Sequence, residues 1–201
     1  MLSTLSVSAV LLAAGTSSRM GEANKLLLRI GEKSVVRLSC ENILKSAVDD
    51  LIVVVGAQND LVRKELSSLN LSVCLNPEYL QGMSTSIVAG VNAVRAETDG
   101  ALILLADQPN LKAATLNRFV QAFQNGEKKI IAGQYKNRIG NPALFHRSFF
   151  EELKQLQGDV GARSLLQRHP GEIQTIEISG DEILDLDTPQ DFEALKAAFT
   201  R

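Results

Sequence analysis

The chain is short of the residues that build several common kinds of site. It has two cysteines, Cys40 and Cys74, far apart and without metal-ligand spacing, so each is expected to be a small buried apolar residue rather than a reactive thiol. Its two histidines, His146 and His169, have no spaced partner, which removes a histidine-rich metal centre and any Ser-His or His-Asp catalytic constellation from consideration. No apolar run approaches the roughly 20 residues that span a bilayer. The N-terminal "MLSTLSVSAV" has neither a basic region nor a clear cleavage site, and no signal peptide is read there. A net charge of −2 gives no electrostatic case for nucleic acid or an anionic membrane as partner. A cytoplasmic protein is the expectation.

What is present is ordinary in bulk. The 201 residues, 45% hydrophobic and 22% charged, suit one globular domain over 1–201 with a full core. Short apolar runs alternate with segments of helical period. "SAVLLAA" (Ser8–Ala14), "LIVVVGA" (Leu51–Ala57), "LSVCL", "ALILLAD" (Ala101–Asp107) and "KIIAG" read as strands. Between them, helices are expected over "SVVRLSCENILKSA", with Val36, Cys40, Ile43, Leu44 and Ala47 on one face and Ser34 as N-cap, over "NDLVRKELSSL", over "STSIVAGVNAVR", and from about Leu111 to Phe123. Strands apolar on both faces, in β-α-β-α order, predict a mostly parallel sheet covered by helices: a three-layer α/β/α sandwich of Rossmann-like type. After Gly133 the pattern turns irregular, and "GNPALF", a helix near Ser148–Gln157, "GDVGARSLLQ" and the strand "EIQTIEI" are expected to form an extension at one side. The last helix is clear, with Thr188 as N-cap, Pro189 at the first helical position, and Phe192, Leu195 and Phe199 on one face.

The loop after the first strand raises a chemical question. In "VLLAAGTSSRMGEANKLLL", Gly15 lets the backbone turn tightly, and Arg19 and Lys25 place two cations within ten residues of it. At the carboxyl end of a parallel strand, such a turn favours a polyphosphate; an ordinary βα loop with solvated charges is the plain alternative. The spacing is not that of a P-loop, since five residues separate Gly15 from Gly21, and the dinucleotide fingerprint is absent. Asp107 follows an apolar strand, and Asp187 directly precedes a capped helix. Two carboxylates suit a hard cation such as Mg²⁺, which on a nucleotide takes one or two protein carboxylates plus phosphate oxygens. Asp187 could equally be an acid at a helix N-terminus, and Asp185 is a nearby competitor. "EYLQGMSTSI" has the composition of a loop entering a helix, with Ser84 or Thr85 as its cap.

"LLAAGTSSRMGEANKLLL" closely resembles the signature loop of the MobA-like nucleotidyltransferases, and "NPEYLQGMSTSIVAGV", "LLADQPNL", "GNPALF" with "GDVGAR", and "DLDTPQDF" match further stretches in order. "LAAG", "NKLLL" and "GDVGAR" look most like the molybdenum cofactor cytidylyltransferases. The resemblance implies the nucleotide-diphospho-sugar transferase-like fold, with Asp107 and Asp187 holding Mg²⁺ and with Arg19, Lys25 and Asp107 as catalytic residues. It implies nucleotide contacts from Leu12, Ala13, Ala14, Gly15, Arg19 and Lys25 and, at base and ribose, from Gly82, Met83, Ser84 and Ser86. Asn141, Pro142, Asp159 and Arg163 would face the second substrate, although structural turns explain those stretches nearly as well. The activity implied is transfer of CMP from CTP to a molybdopterin-type acceptor with release of pyrophosphate, possible partners being a client molybdoenzyme or its chaperone. Rival readings are a GTP donor, another phosphorylated acceptor such as a sugar phosphate, and a non-catalytic carrier of the cofactor. A phosphate acceptor needs no general base, because its second pKa of about 6 leaves it ionised near neutral pH.

Overall fold

The structure is a computed structural model that describes residues 4–16 and 24–199; Arg19 and Gly21 of the first loop, and the side chain of Phe199, lie outside the described residues. In chain order the strands are β1 (Val7–Ala13), β2 (Arg29–Ile30), β3 (Lys33–Ser34), β4 (Asp50–Val55), β5 (Ser72–Leu75), β6 (Gly100–Leu105), β7 (Ile130–Tyr135), β8 (Arg138–His146) and β9 (Ile173–Glu177). The helices are α1 (Val35–Leu44), α2 (Asn59–Leu66), α3 (Met83–Ala93), α4 (Ala113–Asn125), α5 (Phe150–Lys154), α6 (Arg163–Arg168) and α7 (Pro189–Phe199).

Seven strands make one sheet in the order β5-β4-β1-β6-β8-β7-β9, and β2 and β3 pair as a small separate ribbon. β1 is central and runs parallel to β4 and β6. Its alternation divides the core. Val7, Ala9, Leu11 and Ala13 pack with buried residues of α1, α2, α4 and α7, whereas Val10 packs on the other face with residues of α3, α5 and α6. Both faces are therefore apolar, as the continuous hydrophobic runs require in a sheet covered on two sides.

Three expectations are corrected. "GNPALF" is not in a lateral extension: it lies in β8, which enters the sheet between β6 and β7 and runs antiparallel to both, while β9 adds a parallel edge beyond β7. Burial explains the insertion, since Ala143 and Phe145 fill one core and Leu144 the other. α1 stops at Leu44, leaving Ala47 exposed, and Ser34 stands at its N-cap position without making a side-chain cap bond. α3 starts at Met83, so neither Ser84 nor Thr85 is its cap. At α7 the expected cap is present. Thr188 Oγ1 donates to Asp191 Oδ2 at 2.7 Å and accepts from the Asp191 N–H at 3.2 Å, a reciprocal capping box.

Candidate active site

In this topology β1 connects to β4 on one side, whereas β6 leads towards β8 and β7 on the other, so their carboxyl ends bound the crevice where ligands sit in open α/β sheets. A cleft of about 520 Å³ opens there, within the size range of small-molecule sites. Leu12, Ala14, Gly15 and Thr16 come to it from the end of β1, Leu105 and Asp107 from the end of β6.

Lys25 reaches the cleft because of its neighbours. Asn24 caps a short 3₁₀ turn over Lys25–Leu27, its side chain accepting from the Leu26 N–H at 3.0 Å, and Leu26 is buried in the core. With Leu26 anchored, the preceding side chain lines the cleft. Its ammonium lies 2.7 Å from Asp107 Oδ2 and 2.9 Å from Asp187 Oδ1, partners 82 and 162 positions away. The three side chains are 16%, 21% and 38% exposed. Burial alone draws the lysine pKa down, but the two carboxylates more than offset it and hold it above 10.5.

A segment without helix or strand delivers Asp187. Residues 181–187 are stitched to the loop after β6: Asn110 Nδ2 donates to the Asp181 carbonyl at 3.3 Å, the Lys112 N–H to Glu182 Oε2 at 3.1 Å, and the Leu186 N–H to the Asp107 carbonyl at 3.0 Å. From the other side, Asp191 Oδ2 accepts from the Asp187 N–H at 3.2 Å. Asp185 is not a close partner of Lys25 in the same way. Its Oδ1 accepts from Gln108 Nε2 at 2.8 Å, and its pKa is raised by loss of hydration and by the Asp107 and Asp187 charges, with the Gln108 bond opposing.

The opposite wall is the loop into α3. Gly82 has φ of +113°, and a Cβ there would come 2.6 Å from the Gly158 carbonyl oxygen, so only glycine permits the approach. The free N–H groups at the start of α3 are satisfied by this neighbouring loop. Asp159 Oδ1 accepts from the Met83 N–H at 3.2 Å, and the Gly158 carbonyl accepts from the Ser84 N–H at 3.4 Å and from the Ser84 hydroxyl at 2.6 Å. "GDVGAR" thus braces the helix that "QGMSTS" begins. A second close approach occurs at Gly56, where a Cβ would lie 2.7 Å from Tyr79 Cβ and 2.9 Å from Ala14 Cβ. Ala14, Gly56 and Tyr79 form a tight corner, of which Ala14 and Tyr79 line the cleft.

Of the residues expected to act, Leu12, Ala14, Gly15, Lys25, Gly82, Met83, Ser86, Asp107, Asp159 and Asp187 all line the cleft. Ala13 turns into the core behind β1, and Ser84 is fully buried and bound to Gly158. Pro142 is buried in β8 after a cis peptide bond, Arg163 is exposed at the start of α6, and Asn141 lines a separate concavity of about 220 Å³ with Tyr135 and Arg138. Arg19 lies outside the described residues. Sequence reasoning missed Tyr79, Leu80 and Gln81 in the cleft wall, and Asn76, a buried amide whose Nδ2 donates to Thr85 Oγ1 at 2.9 Å and Ser86 Oγ at 3.0 Å. An aromatic inside the polar run "NPEYLQG" was the available signal. The reading of Cys40 holds, since burial pushes its thiol up to about 12.

Could the site take a divalent cation? The described residues contain no cluster of three or more His, Cys, Asp or Glu side chains suited to a metal. Two carboxylates nevertheless converge on one ammonium, so the pair already holds a positive charge between them. That donor set fits a hard cation that also takes phosphate oxygens from a bound nucleotide.

Residues 9–173 match the MobA-like NTP transferase domain, and the chain belongs to that family of nucleotidyltransferases. Purine catabolism protein PucB of Bacillus subtilis (strain 168) is 33% identical, with 95% of this chain and 96% of that protein covered. The molybdenum cofactor cytidylyltransferase of Escherichia coli (strain K12) is 28% identical over 96% and 97% of the two chains. Among solved structures, the homologue of Mycobacterium tuberculosis Rv0371c from Mycobacterium sp. strain JC1 is 29% identical, covers 97% of each chain and superposes with a TM-score of 0.85. Rv0371c itself, solved in complex with manganese, is 24% identical with a TM-score of 0.81, covering 97% of this chain and 100% of that one. No helix among the described residues is long and apolar enough to cross a membrane.

Proposed function

We propose that the protein transfers the cytidylyl group of CTP to the phosphate of a molybdenum-bound pterin. An acceptor phosphate oxygen forms the new bond to the α-phosphorus of CTP, the α-phosphorus–oxygen bond to the β-phosphate breaks, and pyrophosphate leaves with the electron pair. The observation that carries this reading is the convergence of Lys25, Asp107 and Asp187 at the switch point of the sheet.

No side chain has to remove a proton, because the acceptor is already ionised. The chain's work is alignment and charge compensation. The backbone at Ala14 and Gly15 lets the triphosphate approach the end of β1. Asp107 and Asp187 would hold Mg²⁺, which would screen the phosphate charges. Lys25 faces the leaving pyrophosphate, and Arg19 is assigned beside it. The corner of Ala14, Gly56 and Tyr79 receives the base, with Met83 and Ser86 along the same wall, and Asp159 borders the acceptor. Support for cytidine comes from Ala14 in "LAAG" and from the cytidylyltransferase relative.

The test is pyrophosphate release from each of four nucleoside triphosphates with the molybdenum-bound pterin. CTP should be used best, and Asp107→Ala and Asp187→Ala should each lower turnover by about 100-fold or more at limiting Mg²⁺ while folding normally. Near wild-type turnover in both variants removes the metal assignment, and use of another acceptor in place of the pterin removes the substrate assignment.

A further inference from the structure

We propose that Gln108 is a positioning residue, acting through Asp185 to set Asp187 beside Asp107 for the divalent cation. The inference rests on the metal reading of Asp107 and Asp187.

Gln108 directly follows Asp107, yet its side chain turns away from the cleft. The residue is 6% exposed. Its Nε2 donates to Asp185 Oδ1 at 2.8 Å and reaches the Ile183 carbonyl at 3.4 Å, while its Oε1 is buried with no partner among the described residues. A buried amide with an unpaired carbonyl is a costly way to fill space, because the desolvated acceptor recovers nothing. An apolar side chain would fill the same volume without that cost. What the amide supplies is its NH₂ end, and both of its contacts fall on the segment that carries Asp187.

That segment has little structure of its own. Between β9 and α7 the chain forms turns and extended backbone, so the place of Asp187 is set by cross-links rather than by a regular element. The α7 capping box fixes it from the C-terminal side through Asp191. On the N-terminal side, the Leu186 N–H bond to the Asp107 carbonyl fixes the backbone, and the Asp187 N–H to Asp185 carbonyl contact at 3.1 Å closes a tight turn. The Gln108–Asp185 bond is a direct side-chain link between this turn and the end of β6, beside the Lys25 ammonium that bridges Asp107 and Asp187. Gln108 and Asp107 are adjacent in the chain, as are Leu186 and Asp187, so the two carboxylates are held in register by one short frame. Asp185 is then an orienting acceptor rather than a ligand, one oxygen being committed to the amide. Partners of this outer kind commonly change metal affinity by about 10- to 100-fold.

The experiment measures Mn²⁺ binding to the full chain by electron paramagnetic resonance, without nucleotide, alongside KM for Mn²⁺ and for CTP. Gln108→Leu and Asp185→Ala should each weaken Mn²⁺ binding about tenfold and raise KM for Mn²⁺ similarly, with KM for CTP unchanged within about twofold at saturating Mn²⁺. The double variant should be no weaker than either single one, because both remove one link. Asp185→Asn keeps the acceptor and loses the charge, and it should bind Mn²⁺ nearly as wild type. Wild-type Mn²⁺ affinity in Asp185→Ala, or in a folded Gln108→Leu, overturns the proposal. Equal damage from Asp185→Asn and Asp185→Ala also overturns it, since charge or direct ligation would then be the role. Asp187→Asn separates the two levels of the argument. If it retains full Mn²⁺ binding, the metal reading fails and the positioning role falls with it; if it loses binding while Gln108→Leu and Asp185→Ala do not, only the positioning role fails. Asp185 lies at the surface, so its variants decide the matter should Gln108→Leu not fold.

Discussion

At the scale of single residues, the corner at Ala14 has the most to say about specificity. Its side chain is buried, at 3% exposure, and is wedged beside Gly56 and Tyr79. Its φ is not positive, so the backbone there makes no demand for glycine. On the proposed cytidylyl reading, the methyl would act by occupying space that a larger base needs, so that a pyrimidine would fit more readily than a purine. Exclusion by one methyl is worth ~1–3 kcal/mol, about 10- to 200-fold in discrimination. Ala14→Gly should accordingly narrow the preference for CTP over GTP without reversing it, because the Tyr79 ring still bounds the corner. Competition between the two triphosphates on wild type and variant measures this; an unchanged ratio, or GTP preferred by the wild type, would remove the role given to Ala14.

Among the elements, α7 shows how a capping motif can serve a site that it does not touch. The Thr188–Asp191 box begins one residue after Asp187 and also receives the Asp187 N–H. Bonds from the Thr188 hydroxyl and from the Thr188 and Asp187 N–H groups hold the Asp191 carboxyl below its ordinary 3.8. A depressed carboxyl pKa gives stability that is present above the unfolded value and is lost as pH falls through the folded one. Thr188→Ala should cost ~1 kcal/mol at pH 7 by urea unfolding. Its difference from wild type should shrink below about pH 3.8 as Asp191 protonates. A difference that stays constant down to pH 2.5 would show that the charged box is not what stabilises this helix.

The elements also mark what the sequence could and could not reveal. β1, β4 and β6 were readable because seven- and six-residue runs apolar on both faces have few other uses. α7 was readable from Thr188, Pro189 and the shared face of Phe192, Leu195 and Phe199. β8 was not, because it opens with Arg138, Ile139, Gly140, Asn141 and Pro142, a composition that suits a turn, and only its long-range pairing with β6 and β7 makes it a strand. Asp107 and Asp187 could each be singled out, but their common partner could not. No local pattern encodes a meeting across 162 positions. Ser84 shows the reverse failure, a hydroxyl suited to a ligand that the fold uses to hold Gly158.

On the scale of the molecule, β8 and β9 make the C-terminal third of the chain part of the same sheet as the N-terminal half. One cooperative unit should result. Urea unfolding followed by far-UV circular dichroism and by tyrosine fluorescence should give coincident transitions. CTP with Mg²⁺ at about 100 times its dissociation constant should raise the stability of that unit by roughly 2.7 kcal/mol. Two separated transitions, only one of them moved by the nucleotide, would show instead that the chain divides.

The ion pair between Lys25 and Asp187 has a bearing on how the protein is made. Synthesis is vectorial, and domains gain structure as the chain emerges. A nascent chain halted near residue 180 already contains every strand of the main sheet together with Lys25 and Asp107, but not the second carboxylate or α7. Such a chain could bury most of its core on the ribosome and still have an incomplete site. Translation would have to pass Asp187 before both carboxylates were present, so on the proposed reading tight nucleotide binding would distinguish chains that include this segment from shorter precursors.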